Sequence, residues 1–347
     1  MALVLEIMKT PSVIVEILNY NGVRYLRDCL NSVLASNYED FEVVMIDNAS
    51  TDDSIEFVKK NYPQVKLVEN EKNYGFASAL NKNSDATGGN YIAFLNNDVV
   101  VEPDWLRIVI DYMEKNQEVA AANPKMLFLK NKKQINSAGG SCDIYGVGWN
   151  RGNGEIDDGQ YDRVEEVFYA NGAALVIRKK AWLDVGPFDQ DYFLYGEDLD
   201  WCWRARLKGY KILYEPEAKI YHRWMGSGGP MVAFLEKHWM MSLLKNYSLR
   251  TLCIIAPKYF TLKMLKAAWL MKNGKEFTER FAVLEAFLWN LRNLRKTWRK
   301  HSTIQLSRKV SEKQVQNNMH RGSFELQLWL GKARHPWRNQ FNERKRI

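Results

Sequence analysis

Short apolar segments alternate with helical segments through the first hundred residues, and this order strongly restricts the fold. Residues 13–18, 41–47, 66–68 and 91–96 have the length and apolar content of buried strands. Helical patterns separate them, and strands joined through helices pair in parallel because the crossover returns the chain to the same end of the sheet. The sequence therefore predicts an α/β fold with a mostly parallel sheet flanked by helices.

Polar residues follow three of these strands, namely Asn19-Tyr20-Asn21, Asp47-Asn48 and Asn97-Asp98. In open α/β sheets, ligands bind beyond the carboxyl ends of the strands. The first 150 residues contain neither GxGxxG nor GxxxxGK[ST], which argues against a dinucleotide oxidoreductase and a P-loop enzyme. We therefore expect a ligand site at this edge that holds phosphates without a glycine-rich loop.

Acidic and imidazole side chains suggest a metal site beside a general base. Asp98 ends an apolar strand, where an unpaired carboxylate is costly and a cation bridging phosphates would compensate it. Glu197 and Asp198 follow a glycine and begin an aromatic helix. The alternatives are structural: Asp98 caps the following helix, the acids stabilise a helix N-terminus, and His222 is a hydrogen-bonded core residue.

Seven segments, in order across about residues 11–225, resemble family-2 glycosyltransferases of the rhamnosyltransferase-like branch. They are SVIVEILNYNG, VVMIDNASTDDS, NEKNYGFASALN, YIAFLNNDVVVEPDWL, AGGSCDIYGVGWNRGNGEIDDGQYD, YANGAALVIRKKAW and VGPFDQDYFLYGEDLDWCWRARLKGYKILYEPEAKIYH. The resemblance implies a GT-A fold, an inverting reaction and a nucleotide-diphosphate sugar donor, with a UDP- or dTDP-sugar expected.

The resemblance also implies catalytic and metal-binding roles. The family's Asp-x-Asp motif matches Asn96-Asn97-Asp98, so only the last acid is present, and Asp98 and His222 are expected to hold Mg²⁺ or Mn²⁺. Asp198 matches the general base that removes the proton of the acceptor hydroxyl. The departure at Asn96 leaves fewer charged ligands and predicts a weakly held metal.

Further positions are expected to contact the two substrates. The nucleotide contacts predicted from the resemblance and from the polar strand ends are Tyr20, Asp47, Asn48, Asn73, Gly75 and Asn97. The acceptor contacts are Asn171, Gly172, Glu197 and Trp201. Asn, Asp and Gly are also ordinary turn residues, so turn formation is the alternative for many of these positions.

The charge is unevenly distributed along the chain. Residues 241–347 contain 23 Lys and Arg against 6 Asp and Glu, a net charge of +17, whereas residues 1–240 have a net charge of −9. Residues 277–300 have apolar side chains at helical spacing and five basic residues toward their end, which predicts one amphipathic helix. The stripe either packs on the catalytic domain or lies at a membrane surface.

These patterns predict a GT-A domain over residues 1–235 and a basic helical region over 236–347. Lys and Arg interrupt the best apolar run before it reaches the length of a membrane span. The N-terminus lacks the features of a signal peptide, and the four cysteines have no CxxC spacing, which favours a reducing compartment. We expect a cytoplasmic protein, peripheral at the inner face of the cell membrane and bound to anionic lipid.

The sequence thus predicts a metal-dependent glycosyltransferase of cell-surface glycan synthesis that acts on a saccharide or polyprenyl-linked saccharide. No nucleic acid partner is expected. One alternative is a sugar-nucleotide pyrophosphorylase, but a glycine-rich, basic phosphate loop near the N-terminus is missing. The other is a catalytically inactive module that binds a sugar nucleotide or a membrane.

Overall fold

A computed structural model of the chain describes residues 12–84, 88–223, 229–273 and 277–329. The strands are β1 (Val13–Asn19), β2 (Phe41–Asp47), β3 (Lys66–Glu69), β4 (Tyr91–Asn96), β5 (Val99–Val101), β6 (Val119–Phe128), β7 (Asn131–Ser137), β8 (Gly140–Cys142), β9 (Gly148–Asn150), β10 (Glu165–Glu166), β11 (Ala174–Arg178) and β12 (Lys211–His222). The helices are α1 (Val23–Leu34), α2 (Ser54–Asn61), α3 (Phe76–Ser84), α4 (Trp105–Lys115), α5 (Lys179–Val185), α6 (Glu197–Leu207), α7 (Gly229–Asn246), α8 (Leu249–Asn273), α9 (Phe277–Arg292), α10 (Leu294–Ser307), α11 (Glu312–Gln316) and α12 (Phe324–Trp329).

One large sheet has the strand order β10-β12-β6-β11-β4-β1-β2-β3, with β5 beside β12 and β7 beside β6. The pairs β1–β2, β1–β4, β2–β3 and β6–β12 are parallel. Strand β11 enters antiparallel between β4 and β6. The predicted α/β class is confirmed, and all four strands predicted in the first hundred residues are present.

Two hydrophobic cores cover the two faces of this sheet. Alternate residues of the strands point to opposite faces, so Ile14 and Ile92 pack with α3, α5 and α6 while Val13 and Val15 pack with α1 and α4. Both sets of side chains are almost completely buried. Burial on both faces explains why these strands are continuous apolar runs in the sequence.

The first C-terminal helices are part of the core on the α6 side of the sheet. Met240, Met241 and Leu243 of α7 and Tyr259 of α8 pack in the same cluster as Phe94 of β4. The predicted division between residues 235 and 236 stays a prediction, and it falls within helix α7. Helix α7 therefore contributes to the interior of the catalytic fold as well as to the helical region.

A buried ion cluster joins α7 and α10 to the segment before α6. Lys245 of α7 is 1% exposed and contacts both Asp189 and Asp200, the latter at 3.0 Å. Arg204 Nε donates to Asp200 Oδ2 at 2.9 Å, which agrees with the i, i+4 spacing of these residues. Lys300 of α10 also binds Asp189. The positive charges hold the pKa of Asp200 below its usual value despite burial, which acts to raise it.

A second ion cluster ties α12 to α7 and α8. Lys263 binds Glu236 at 2.7 Å and Glu325 at 2.8 Å, and Lys266 binds the same two carboxylates. All four side chains are buried or nearly so. Several basic residues of the C-terminal region therefore neutralise carboxylates inside the protein, and the net charge of +17 exceeds the charge that its surface presents.

The sequence predicts a single helix over residues 277–300, but the structure has two helices in this region. Helix α9 ends at Arg292 and α10 begins at Leu294, with Asn293 between them. The Asn293 side chain donates to the carbonyl oxygen of Trp289 at 2.8 Å, and such local bonds compete with the helical backbone. In the described part of the chain, no helix combines the length and the apolar character that a membrane span requires.

The buried cluster gives a prediction about stability. Lys245→Met should destabilise the protein by on the order of 3 kcal/mol, because Asp189 and Asp200 lose the buried cation that they share and keep only Lys300 and Arg204, respectively. The matched control is Lys296→Met, since Lys296 is 57% exposed and pairs with Asp191 at the surface, where such pairs contribute about 0–1 kcal/mol. Thermal unfolding of the two variants checks this, and equal midpoints would contradict the role of Lys245.

Candidate active site

Parallel pairing aligns the polar strand ends at one edge of the sheet. Asn19 is in register with Asp47, and Leu18 is in register with Asn96. Asn19 Nδ2 donates to Asp47 Oδ2 at 2.8 Å, and Asn97 Nδ2 donates to Asn19 Oδ1 at 2.6 Å. The predicted meeting of these strand ends is therefore present as a hydrogen-bonded row.

The predicted nucleotide residues differ in accessibility. Asp47 is buried, and its second carboxylate oxygen accepts from the N–H of Ser50 at 2.8 Å, a turn interaction. Tyr20 beside it is 49% exposed. A contact of Asp47 with a base stays a prediction, whereas the ring of Tyr20 is open to a ligand.

A second polar turn lies next to this row. Asn48 Nδ2 donates to Asn73 Oδ1 at 2.9 Å, and the N–H of Gly75 donates to the same oxygen at 2.9 Å. Gly75 has a φ of 77°, and the N–H of Phe76 donates to the carbonyl oxygen of Phe193 at 2.7 Å. This turn therefore fixes the segment that leads into Glu197 and Asp198.

Asp98 and His222 lie side by side although 124 positions separate them. Strands β5 and β12 pair antiparallel with Val99 opposite His222, and His222 Nε2 lies 3.3 Å from Asp98 Oδ1. Burial acts to raise the pKa of Asp98, but the charge and hydrogen bond of His222 hold it below its usual value. The predicted proximity of the two residues is present in the structure.

The surroundings of His222 fix the orientation of its ring. Nδ1 donates to Asn136 Oδ1 at 3.1 Å, so Nε2 is the nitrogen that faces Asp98. An outer hydrogen bond of this kind is typical of histidines that bind metals. The donor set of one carboxylate oxygen and one imidazole nitrogen fits Mn²⁺ or Mg²⁺ only with further oxygen ligands. Across the described ranges, no group of three or more His, Cys, Asp or Glu side chains could hold a metal ion by itself.

An unusual backbone turn presents Glu197 and Asp198. Tyr195 has a φ of 67°, in the left-handed region that bulky residues rarely adopt, and Gly196 has a φ of 90°. His238 of α7 bonds to the carbonyl oxygen of Tyr195 through Nδ1. Burial, with a contribution from the charge of Lys237, lowers the pKa of His238 to about 3, so this ring is neutral near pH 7.

The two carboxyl groups have different environments. Asp198 Oδ2 accepts from the N–H of Gly172 at 2.8 Å, whereas Glu197 Oε2 makes no hydrogen bond to a described protein atom. Burial and the charge of Asp198 raise the pKa of Glu197 well above its usual value. Burial also raises the pKa of Asp198, against the hydrogen bonds from Gly172 and Leu199. The pair therefore favours a neutral Glu197 beside an ionised Asp198.

The predicted acceptor residues fall into two groups. Asn171 Nδ2 donates to Asn150 Oδ1 at 3.0 Å, and both residues line the same cleft as Glu197. Trp201 is completely buried, and its Nε1 donates to the carbonyl oxygen of Gly186 at 2.9 Å. It does not line the cleft, so we do not propose that Trp201 contacts an acceptor.

One open cleft with a cavity volume of about 130 Å³ brings the separate groups together. Its lining residues come from the strand ends, the β8–β9 hairpin, the start of α6 and helix α7, and they include Asn96, Trp149, Asn150, Asn171, Gly172, Leu194, Glu197, Asp198, His222, Leu235 and Trp239. Asp198 and His222, distant in the sequence, thus face one space.

Helix α7 contributes side chains that the sequence did not reveal. Leu235 and Trp239 line the cleft, and His238 holds the turn before Glu197. The spacing of these three residues is that of any buried helix, so the sequence did not indicate that they belong to a site. The sequence after Arg223 is rich in glycine and predicts a lid that could close over the donor, but positions 224–228 lie outside the described residues.

Comparison with known proteins identifies related sequences. The sequence model described as Glycosyl transferase family 2 matches residues 12–182. Poly-beta-1,6-N-acetyl-D-glucosamine synthase of Staphylococcus epidermidis is 29% identical over 204 residues, which is 57% of this chain and 47% of that protein. The chain spans less than half the length of the curated relatives that it matches.

Solved structures share the fold at low sequence identity. The crystal structure of GalNAc-T7 with UDP, GalNAc and Mn²⁺ has a TM-score of 0.58 and 16% identity, over 77% of this chain and 57% of that chain. The mannosyltransferase PcManGT from Pyrobaculum calidifontis, in complex with GDP-Man and Mn²⁺, has a TM-score of 0.52 and 16% identity over 86% of each chain. These likenesses confirm the predicted GT-A fold. The resemblance to the rhamnosyltransferase branch stays a prediction.

The turn at Gly75 gives a prediction about the cleft. A Cβ added to Gly75 would lie 2.4 Å from the backbone oxygen of Phe193 at a positive φ, so Gly75→Ala should destabilise the protein and displace the segment before Glu197. The matched control is Gly88→Ala, because a Cβ at Gly88 meets no atom within 4 Å. Thermal unfolding should show a loss of several degrees for the first variant alone.

Proposed function

Because this chain belongs to glycosyl transferase family 2, we propose that it is a metal-dependent, inverting glycosyltransferase. It moves a sugar from a UDP- or dTDP-linked donor to a hydroxyl group of a saccharide or a lipid-linked saccharide. One observation carries the proposal: the cleft contains an ionisable carboxylate, Asp198, and on another wall the imidazole that lies against Asp98. A base and a phosphate-binding edge are the two components that this reaction needs.

The proposed step is a single displacement at the anomeric carbon. The acceptor oxygen attacks this carbon while its proton passes to a carboxylate oxygen of Asp198, and the bond from the carbon to the diphosphate breaks. Attack opposite the leaving group inverts the anomeric configuration. The raised pKa of Asp198 supports this role, because a carboxylate that binds a proton more strongly is a better base.

The neighbours of Asp198 orient the acceptor. The N–H groups of Gly172 and Leu199 donate to Asp198 Oδ2 at 2.8 Å and to Oδ1 at 2.7 Å, and each oxygen keeps a further lone pair that can accept from a hydroxyl group in the cleft. A neutral Glu197 can donate a hydrogen bond to the acceptor, and Asn171 can contact a second hydroxyl. These contacts place the attacking oxygen against the base before the reaction.

Asp98 Oδ1 and His222 Nε2 would hold a divalent cation, with phosphate and water oxygens as the remaining ligands. When bound, such a cation stabilises the negative charge of the leaving diphosphate. Asn136 keeps Nε2 of His222 directed toward Asp98 for this purpose. With two protein ligands, we expect weak binding of the metal without nucleotide.

The proposed acceptor and location follow from the helical region. A polyprenyl-linked saccharide in cell-surface glycan synthesis would suit a basic region that binds anionic lipid. The protein would then act at the inner face of the cell membrane as a peripheral enzyme. A catalytically inactive binding module is the second candidate, and the access of Asp198 to the cleft argues against it.

Transfer of labelled sugar tests the function directly. Incubation with a panel of UDP- and dTDP-sugars, Mn²⁺ and saccharide acceptors should yield a labelled product with at least one donor, of inverted configuration by NMR. Binding of nucleotide with neither transfer nor hydrolysis across the panel would favour the inactive module. Retention of the anomeric configuration would contradict the single displacement.

The base can be tested by one substitution. Asp198→Asn should preserve nucleotide affinity and lower turnover by roughly a hundredfold or more, because the amide oxygen can still accept from Gly172, at the loss of the bond from Leu199, but the amide cannot take a proton. Turnover and affinity are measured separately, by initial rates and calorimetry. Asp158→Asn, at an exposed position, is the control. An equal loss of nucleotide binding would identify Asp198 as a structural residue instead.

The metal site is tested by titration with Mn²⁺. His222→Ala should weaken UDP binding in the presence of Mn²⁺ and raise the Mn²⁺ concentration that half-saturates activity, because one ligand is removed. Glu217→Ala, on the exposed side of the same strand, is the control. If His222→Ala has the same Mn²⁺ dependence as the parent in calorimetry and in activity, His222 is not a ligand.

A further inference from the structure

Large apolar side chains are exposed in one part of the molecule. Among the described residues, 19 large hydrophobic side chains are exposed, and 13 of them lie between positions 249 and 298. The rest of the described chain buries such side chains in the two cores around the sheet. An exposed apolar patch of this kind marks an interaction surface.

The exposed side chains form a continuous stripe along three helices. We define the outer stripe as Phe260, Met264, Leu284, Phe287, Leu288, Leu291, Leu294 and Trp298, which are 38–67% exposed. The four members on α9 follow the spacing of one helix face. The rings of Phe260 and Phe287 lie 5.9 Å apart and join α8 to α9.

The opposite side of α9 provides the packing against the protein. Ala282, Val283 and Ala286 are buried, and Asn290 Nδ2 donates to the carbonyl oxygen of Lys237 in α7 at 3.0 Å. Small side chains thus allow α9 to approach α7 closely. The sequence pattern allowed the large side chains of this region either to pack on the catalytic domain or to lie at a membrane surface. The first interpretation is wrong for the outer stripe, because its side chains are exposed.

The charges around the outer stripe are mostly positive, although α9 contains Glu279 and the exposed Glu285. Helices α8 and α10 contain no Asp or Glu. Arg292, Arg295 and Arg299 are exposed, adjoin the stripe in sequence, and make no ion pair with a described residue. Lys296 and Lys300 are different, because both bind Asp191. Three arginines therefore remain available to an anionic partner.

We propose that the outer stripe and these three arginines dock the protein on an anionic lipid bilayer. This inference rests on the proposed function, whose lipid-linked acceptor lies in such a bilayer. Apolar side chains enter the boundary between headgroups and acyl chains, and the arginines bind phosphate groups of the lipids. A second protein is a poorer fit, because it would have to match both the stripe and a row of unpaired positive charges.

Docking through this stripe brings the cleft close to the lipid. Helix α7 packs on α9 with one side, and its Leu235 and Trp239 line the cleft with the other. Packed helix axes lie roughly 8–10 Å apart, so about two helix layers separate the bilayer from the cleft. A saccharide attached to a lipid could therefore reach Asp198 without leaving the membrane.

Sedimentation with lipid vesicles tests the surface in the full chain. The parent should sediment with phosphatidylcholine vesicles that contain phosphatidylglycerol, and should be released by a few tenths molar salt. Met264→Glu combined with Leu288→Glu should abolish sedimentation. The control is Leu183→Glu, because Leu183 is 65% exposed on α5, outside the stripe. Replacing Arg292, Arg295 and Arg299 by Gln should weaken binding on the order of a hundredfold.

Other outcomes would overturn the proposal. These are equal sedimentation of the stripe variant and the parent, equal binding to neutral vesicles, or a concentration-dependent dimer that the stripe variant abolishes without any vesicle binding. Thermal unfolding and UDP binding confirm that each variant is folded. Failure of the proposed function is distinguishable, because the parent would then bind vesicles but transfer no sugar to a soluble acceptor.

Discussion

Lys245 lies between two buried carboxylates, Asp189 and Asp200, and is the cation that the two share, whereas Lys300 and Arg204 each pair with one of them. Asp200 belongs to the helix that begins with Glu197, and Asp189 belongs to the segment that leads into it. Since Lys245 comes from α7, the geometry of the cleft depends on a helix beyond the region matched by the family model. The helical region is thus a structural component of the candidate active site.

Much of the sheet and of its ligand edge could be predicted from the sequence, because strand periodicity and polar strand ends are local signals. The contact of Asp98 with His222 could not be predicted from spacing, since it depends on the antiparallel pairing of β5 with β12. Only the family resemblance suggested it. For Trp201, the family resemblance suggested an acceptor contact, but the side chain is buried against Trp182. This burial depends on packing, which no sequence motif indicates.

The C-terminal helices show why an amphipathic pattern alone is ambiguous. The sequence left open whether the large side chains of α9 form its buried face, and the structure instead buries Ala282, Val283 and Ala286. Periodicity identifies that a helix has two faces, whereas the shape of the neighbouring helix decides which face packs. Ion pairing also limits what the sequence predicts about the surface charge, because the sequence does not show that Lys296 and Lys300 form ion pairs with Asp191.

The carboxyl group of Glu197 remains buried with an oxygen that no described protein atom satisfies. Leaving a buried polar group in this state costs about 1–3 kcal/mol. In the proposed function, a hydroxyl group of the acceptor would satisfy this oxygen. Selection for thermal stability alone would replace Glu197 by an apolar side chain of similar size, so stability would oppose the acceptor contact that we propose for Glu197. Variants selected only for heat resistance would tend to lose their substrate first at this residue.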